Sequence, residues 1–343
     1  MPEKKILVTG ATGFIGAYLL NYLVQKGESN IRALKRPNSP MDLVNHIQDK
    51  IEWVEGDILD TTCLEDAMQG VSKVYHCAAI VSFNQADVQQ MIRTNQEGTA
   101  NVVNISLAMD VEKLLHVSSI AAIGRRKNET IINENTKWQG DKWNSPYGIS
   151  KHLAEMEIWR GVAEGLNTVI VNPSNVLGSG FWKDRTTTGQ FFYKIWKGMP
   201  FYPMGGTGFV DVRDVVRFMF QLMESDIHSQ RYILNGENLP YKDVLFGIAN
   251  SLNVRKPHIE VTPFIREVAW RASWILSKIT GKAPFITKQT ARYSARSFFY
   301  ENEKSLAAFP FSYTPIQQTL KETGEQFLKS VDNGFQPAML PFH

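Results

Sequence analysis

The feature that most constrains the fold is a short apolar run followed by three closely spaced glycines near the N-terminus. Residues 5–8 (KILV) have the composition of a buried strand, and residues 14–26 carry apolar side chains at helical spacing. Gly10, Gly13 and Gly16 lie where the strand would turn into the helix. Glycines at such a turn allow a tight bend, a close approach of the backbone to a pyrophosphate, and close packing of helix on strand. The pattern therefore predicts a dinucleotide-binding turn with phosphates at the helix N-terminus.

Strand-like and helical segments alternate through the first two-thirds of the chain. Strands are predicted at residues 31–34, 51–54, 74–77, 114–117, 168–171 and 232–234, and helices at 61–68, 88–109, 147–164 and 211–223. This alternation predicts an α/β fold of the Rossmann type, with a doubly wound parallel sheet. We expect residues 1–173 plus about 210–235 to form the dinucleotide-binding domain. Residues 174–209 plus about 236–343 should form a smaller, mostly helical substrate domain.

Bulk composition excludes several classes of protein. The 343-residue chain has a net charge of only +3, which gives no support to general nucleic-acid binding. Two cysteines, Cys63 and Cys77, are too few for a disulfide framework, and no apolar stretch approaches a membrane span. The seven histidines are scattered without zinc-ligand spacing, and no GxSxG motif occurs. We expect a cytoplasmic protein with no metal, no nucleic-acid partner and no stable membrane insertion.

A tyrosine and a lysine four residues apart form the candidate reaction centre. Tyr147 and Lys151 would lie on one helix face if the helix begins near Pro146, a residue that suits a first helical turn. A free phenol has a pKa near ~10, and a neighbouring ammonium lowers it by stabilising the phenolate. Tyr147 could then act as general acid in a reduction and general base in an oxidation. Each residue alone could equally be a core aromatic or a surface charge.

The GxxGxxG turn together with the Tyr147/Lys151 pair resembles the extended short-chain dehydrogenase/reductase family, over most of residues 4–235. The resemblance implies a catalytic serine five residues before Gly124, which is Ser119, and a supporting helical asparagine, Asn95. Ser118 is interpreted as a structural turn residue. The resemblance implies a cofactor site formed by Gly10, Thr12, Gly13, Phe14, Ile15, Gly16, Lys35, Arg36, Asp57, Ile58, Ala78, Ala79, Tyr147, Lys151 and Pro173.

The end of the second strand predicts which dinucleotide binds. An NAD-selective site usually presents a carboxylate here to the ribose 2′-hydroxyl. This chain has Lys35 and Arg36 instead, and an arginine can bind a 2′-phosphate through two hydrogen bonds. We expect NADP(H) to be favoured over NAD(H). The alternative is a solvated basic turn without a role in binding.

The predicted function is an NADP(H)-dependent oxidoreductase that transfers hydride to or from a carbonyl or hydroxyl carbon of a bulky, largely apolar small molecule. The segment 207–214 resembles that of carbonyl-reducing members such as dihydroflavonol reductases and hydroxysteroid dehydrogenases. The predicted pocket comprises residues 80–83, 121–124, 175–181 and Trp143. A nucleotide-sugar epimerase or dehydratase is the alternative, although Ile120 and Ala121 stand where such dehydratases carry an Asp-Glu pair. A cofactor-sensing regulator without turnover is a third possibility.

Three further expectations concern surfaces. The family commonly forms homodimers through two long helices, and Leu153, Met156, Ile158 and Trp159 could supply the apolar face. The basic run 125–127 is interpreted as a solvated turn. Residues 263–282 carry tryptophans and isoleucines at helical spacing with cations between them, which favours a core helix or a pocket lid. A helix on a membrane surface or against a partner is the alternative.

Overall fold

The computed structural model describes residues 5–124, 131–140, 144–183, 187–280 and 294–342. Trp143 and the basic run 125–127 lie outside the described residues. The strands are β1 (Lys5–Thr9), β2 (Ile31–Lys35), β3 (Glu52–Glu55), β4 (Val71–His76), β5 (Lys113–Val117), β6 (Ile131–Ile132), β7 (Thr168–Pro173), β8 (Asn175–Leu177), β9 (Phe201–Tyr202), β10 (Gly206–Asp211), β11 (Gln230–Leu234), β12 (Glu237–Pro240), β13 (Ile259–Glu260) and β14 (Phe299–Tyr300).

The helices alternate with the strands as the sequence predicts. They are α1 (Phe14–Gln25), α2 (Thr61–Met68), α3 (Val88–Ala108), α4 (Pro146–Ala163), α5 (Gly189–Trp196), α6 (Val212–Glu224), α7 (Tyr241–Ser251), α8 (Pro263–Thr280), α9 (Glu303–Ala308) and α10 (Ile316–Val331). Short 3₁₀ turns occupy Asn45–Lys50, Gln85–Asp87 and Ile120–Ala122.

Seven strands form the central sheet, in the order β11-β7-β5-β4-β1-β2-β3, and every neighbouring pair is parallel. The predicted fold class is thus confirmed. The strand order reverses between β1 and β4, because the chain winds outward in opposite directions from this point. In open parallel sheets, ligands bind in the crevice beyond the carboxyl ends of the strands at such a switch point.

Both faces of the central sheet are covered, which explains the nearly continuous apolar strands. Side chains of successive residues point to opposite faces: Ile6 and Val8 belong to the apolar core with α1 and α6, and Leu7 belongs to the core with α2, α3 and α4. β4 begins at Val71, three residues before its predicted start. The polar residues Ser72 and Lys73 interrupt the apolar run there and obscure the start of the strand.

A smaller sheet lies beyond the carboxyl end of β7, in the order β12-β10-β8. β10 runs parallel to β8 and antiparallel to β12. α5, α7 and α10 share a third apolar core with this sheet. The proposed division into two domains remains a prediction at the boundaries given above.

The last described residues pack on the first helix. Tyr18 of α1 is fully buried; its hydroxyl donates to the Ser179 carbonyl oxygen (2.7 Å) and accepts from the Leu340 backbone N–H (2.7 Å). Phe342 packs edge-on against the Tyr18 ring. Residues 338–342 therefore belong to the core that supports the loop after β8.

One expectation about the long helices needs correction. Ile158 of α4 is fully buried in the core with α3, so it cannot contribute to an outer apolar face. Ile149 and Met156, by contrast, are exposed on α4. Helical periodicity marks two faces on α4, and the sequence does not tell which of them packs on the protein's own α3.

Candidate active site

The glycine turn has the geometry that its spacing predicts. Gly10 has a φ of +65°, and a Cβ at this position would lie 2.5 Å from the Ala78 backbone nitrogen. A Cβ on Gly16 would lie 2.2 Å from the Gly10 carbonyl oxygen. Larger residues cannot occupy either position without displacing backbone. The turn therefore lies against the backbone of Cys77 and Ala78, which follow β4, at the switch point of the sheet.

The N-terminus of α1 offers backbone donors to this crevice. Gly13 occupies the N-cap position, and no side chain caps the helix. The first N–H groups of a helix lack intrahelical partners and carry a partial positive charge. An uncapped start beside a glycine turn suits a pyrophosphate, whose oxygens would accept from these groups.

A cavity of about 600 Å³ opens along the carboxyl ends of the strands. The predicted site residues that line it are Gly10, Thr12, Gly13, Phe14, Ile15, Gly16, Lys35, Arg36, Asp57, Ile58, Ala78, Ala79, Ser119, Tyr147 and Lys151. Pro173 is not among the lining residues; it pairs with Leu234 inside the sheet, and the next residue, Ser174, reaches the cavity.

The helix that carries Tyr147 and Lys151 starts where the sequence predicts. Ser145 caps α4 by accepting from the Gly148 N–H (2.9 Å), and Pro146 is its first residue. Both Tyr147 and Lys151 line the cavity. Lys151 is only 2% exposed, and its Nζ donates to the Val117 carbonyl oxygen at the end of β5 (2.8 Å).

The electrostatics of this pair differ from the expectation. Burial raises the pKa of Tyr147 above its usual value, while a hydrogen bond with the Ser119 side chain acts in the opposite direction. Burial lowers the pKa of Lys151 to about 8, and the nearby Glu155 carboxylate opposes this change. The chain's own residues thus favour the neutral phenol. The expected lowering of its pKa by Lys151 is not produced by the protein residues alone, because desolvation is the larger effect.

The two serines after β5 both line the cavity but have different partners. Ser119 caps the 3₁₀ turn Ile120–Ala122, and its Oγ accepts from the Ala121 N–H (3.2 Å). Ser118 is buried, and its Oγ has no hydrogen-bond partner within the described residues. Ser119 is the serine whose side chain also forms a hydrogen bond with Tyr147. The Ser118 hydroxyl lies in the cavity wall without a hydrogen-bond partner among the described residues.

Asn95 lies behind the cavity rather than in its wall. Its buried amide accepts from the Ile80 N–H (2.7 Å) and donates to the Ile80 carbonyl oxygen (2.9 Å) and to the Ser150 hydroxyl (2.9 Å). Asn95 thereby joins α3, the loop after β4 and α4. Its contacts indicate that it positions these elements.

A buried polar network behind Ser119 was not anticipated from the sequence. Asn172 of β7 donates from Nδ2 to the Ser119 carbonyl oxygen (3.0 Å) and to Glu155. Glu155, fully buried one helical turn after Lys151, also pairs with Arg231 of β11 (3.3 Å). The only local signal is the four-residue spacing between Lys151 and Glu155, because the other partners are distant in sequence.

The opposite end of the cavity carries the two cations predicted to select the dinucleotide. The Lys35 ammonium forms an ion pair with Glu55 of β3 (2.6 Å). The Arg36 backbone N–H donates to the Ser39 hydroxyl (3.1 Å), and Ser39 also lines the cavity. Asp57 caps the following turn by accepting from the Leu59 N–H (2.9 Å). Because Glu55 offsets the charge of Lys35, Arg36 is the cation more available to an anionic ligand.

The substrate side agrees with the predicted pocket only in part. Ile80, Val81, Phe83, Asn175, Val176 and Phe181 line the cavity, and residues 121–124 do not. Additional lining comes from the start of α5, through Thr187, Thr188, Gln190 and Phe191. The only sequence signal for this segment is Gly189, where a Cβ would lie 2.7 Å from the Phe181 carbonyl oxygen.

The described residues lack two features that other functions would need. No helix in this part of the chain is both long enough and apolar enough to cross a membrane. No group of three or more His, Cys, Asp or Glu side chains within the described residues could hold a metal ion.

Comparison with known proteins identifies the family. The sequence pattern of the NAD dependent epimerase/dehydratase family matches residues 6–234. The chain belongs to this family. A family member from Synechocystis sp. (strain ATCC 27184 / PCC 6803 / Kazusa), "Putative dihydroflavonol 4-reductase", is 30% identical over 327 residues, covering 93% of both chains. "Cinnamoyl-CoA reductase 1" of Petunia hybrida is 26% identical and covers 93% of this chain and 90% of its own.

A solved structure supports the same assignment. "Crystal structure of gox2253" matches with a TM-score of 0.82 and 29% identity, over 97% of this chain and 100% of the other. The 343-residue chain is accordingly an enzyme of the extended short-chain dehydrogenase/reductase type that uses a nicotinamide dinucleotide.

Proposed function

We propose that the chain is an NADP(H)-dependent oxidoreductase acting on a carbonyl or hydroxyl group of a bulky, largely apolar small molecule. The observation that carries the proposal is the shared cavity: Tyr147, Lys151 and Ser119 line the same space as the glycine turn. The residues fit the dinucleotide, because Gly10 and Gly16 leave no room for a Cβ and the start of α1 keeps its backbone donors uncapped. The bound nicotinamide supplies or accepts the hydride.

Tyr147 is the proposed acid/base group. Burial keeps its phenol protonated, so it can donate a proton to the developing alkoxide during a reduction. Ser119 would donate a second hydrogen bond to the same oxygen and stabilise its charge. Lys151, held by the Val117 carbonyl oxygen, supplies the positive charge that favours a transient phenolate.

Replacement of the phenol tests the proposed acid/base role. Tyr147→Phe should reduce kcat by at least about 100-fold, because general acid catalysis typically contributes 10²–10⁴-fold. NADPH binding, followed by nicotinamide fluorescence, should remain close to the wild-type level. Tyr22→Phe on α1 is the matched control, since Tyr22 packs against Phe220 outside the cavity lining. Retained activity in Tyr147→Phe would contradict the assignment.

The preference for NADP(H) rests on Arg36. Arg36→Ser should raise the Kd for NADPH about 10- to 100-fold, because a charge-assisted bidentate contact is lost, and should leave the Kd for NADH within a factor of about two. Arg93→Ser is the control; Arg93 pairs with Glu97 on α3 and does not line the cavity. Equal affinity of the wild-type protein for NADH and NADPH would contradict the proposed preference.

The substrate proposal rests on the apolar wall formed by Ile80, Val81, Phe83, Val176, Phe181 and Phe191. We expect turnover of aromatic or polycyclic ketones, aldehydes or alcohols in a panel monitored through NADPH absorbance.

A nucleotide-sugar epimerase or dehydratase is the alternative function; strong thermal stabilisation by UDP-sugars would favour it over a reductase. The site offers no Asp-Glu pair for it, since Ile120 and Ala121 start the turn after Ser119. Possession of both Tyr147 and Lys151 disfavours a regulator without turnover.

We further propose a homodimer in the cytoplasm. The exposed Ile149 and Met156 on α4 provide apolar surface for the contact. Met156→Glu should convert the dimer into a monomer in light scattering after gel filtration. A wild-type chain that elutes as a monomer at micromolar concentration would contradict the proposed assembly.

A further inference from the structure

The described side chains of α8, those of residues 263–273, lie outside the apolar cores. Phe264 is 78% exposed and Val268, one helical turn later, is 52% exposed. No described side chain of α8 belongs to any of the four apolar clusters. The sequence favours a core helix or a pocket lid here, but the described side chains of α8 belong neither to a core nor to the lining of the cavity. Contiguous apolar side chains exposed on a protein surface often mark an interaction site.

The elements next to the start of α8 extend the exposed apolar surface. β13 pairs with β9, and the Val261 N–H donates to the Tyr202 carbonyl oxygen (2.9 Å) two residues before α8 begins. Phe201 of β9 is 45% exposed and Met204 is 51% exposed. We call Phe201, Met204, Phe264 and Val268 the α8 patch.

The stretch of sequence that contains α8 is strongly basic. Residues 253–296 contain nine Lys or Arg and two Glu, a net charge of +7, while the rest of the chain has 28 basic and 32 acidic residues, a net charge of −4. Among the described cations of this segment, Arg255, Lys256 and Arg271 are exposed, and Arg271 forms an ion pair with Glu267 of α8 (2.7 Å). The whole positive excess of the chain is thus concentrated in the segment of sequence that contains Phe264 and Val268.

We propose that the α8 patch binds the surface of an anionic lipid bilayer. Exposed apolar side chains flanked by Lys and Arg are the combination with which interfacial helices insert between lipid headgroups. A second copy of the chain is disfavoured as occupant, because docking two such segments would bring like charges together. The binding itself is independent of the proposed function. Its consequence, access to apolar substrates that concentrate in the bilayer, rests on that function.

Vesicle co-sedimentation of the full chain tests the proposal. The protein should bind vesicles of phosphatidylcholine with about 30% phosphatidylglycerol much more tightly than vesicles of phosphatidylcholine alone, and salt should weaken the binding. Phe264→Glu should reduce the affinity at least about tenfold, because an inserted aromatic side chain is replaced by a charge that the headgroups repel. Arg255→Glu combined with Lys256→Glu should weaken binding to a similar degree.

Leu328→Glu on α10 is the matched control, since Leu328 is also exposed (39%) but lies outside the α8 patch. It should bind vesicles like the wild type. Thermal unfolding should give the same Tm for wild type and Phe264→Glu, since Phe264 is mostly exposed. Equal binding to neutral and anionic vesicles, no binding to either, or unchanged binding by Phe264→Glu would overturn the proposal. A change of oligomeric state in Phe264→Glu without lipid would also overturn it, in favour of contact between two copies.

Discussion

We expect Lys151 to stabilise the transition state of the reaction and to destabilise the folded protein. Its ammonium is buried, and burial lowers its pKa from 10.5 to about 8. Each tenfold loss of proton affinity corresponds to about 1.4 kcal/mol, so keeping the charge at pH 7 costs the folded state about 3 kcal/mol relative to the unfolded chain. Lys151→Met removes this cost. It also removes the hydrogen bond to the Val117 carbonyl oxygen, which offsets part of the gain.

The pH dependence separates the two contributions. The unfolded chain binds the Lys151 proton more tightly than the folded protein, so between pH 8 and 10.5 the stability of the wild type rises with pH relative to Lys151→Met. The lost hydrogen bond and packing form a nearly constant term that cancels in this comparison. The advantage of the variant should therefore shrink by about 2 kcal/mol between pH 7 and 9.5.

Urea unfolding at a series of pH values measures this difference, with tryptophan fluorescence as the signal. Lys321→Met, an exposed position on α10, is the matched control and should show a pH-independent difference from wild type. The variant at Lys151 should also lose activity. A stability difference for Lys151→Met that stays flat between pH 7 and 9.5 would refute the reasoning, because the ammonium would then not be desolvated.

Two further predictions concern the glycine turn and the buried network. Gly16→Ala should destabilise the protein by several kcal/mol in urea unfolding, since its Cβ would lie 2.2 Å from the Gly10 carbonyl oxygen, whereas Gly13→Ala, with its nearest contact at 3.2 Å, should cost about 1 kcal/mol or less. Equal losses would argue against the steric explanation. Glu155→Gln removes the carboxylate that raises the pKa of Lys151, so the alkaline limb of the kcat/KM profile should move to lower pH. An unmoved limb would show that Glu155 acts only structurally.

Local sequence patterns predicted the sheet and the turn because their causes are local. The apolar run of β1 and the glycines after it define strand, turn and helix between residues 5 and 25. The spacing of Tyr147 and Lys151 likewise requires only one helix. These features could be derived before the structure was known, since each depends on side-chain periodicity or on backbone sterics.

The remaining features depend on partners that are distant in the sequence. The pKa of Tyr147 is set by how completely the surrounding elements exclude water, which no local pattern records. Glu155 and Arg231 meet across 76 residues, in the network completed by Asn172. The periodicity of α8 indicates an apolar face but not what covers it, so the sequence alone favours a core helix or a pocket lid over a surface helix.

The contact between Leu340 and Tyr18 has a consequence for biosynthesis. During translation, α1 is synthesised more than three hundred residues before residues 338–342, which pack on it. Until residues 338–342 emerge, the Tyr18 hydroxyl lacks its backbone donor, and the Phe342 ring is not there to cover the Tyr18 ring. Co-translational folding can assemble the early strands, but the loop that Tyr18 holds through Ser179 gains its final support only after residues 338–342 have been translated.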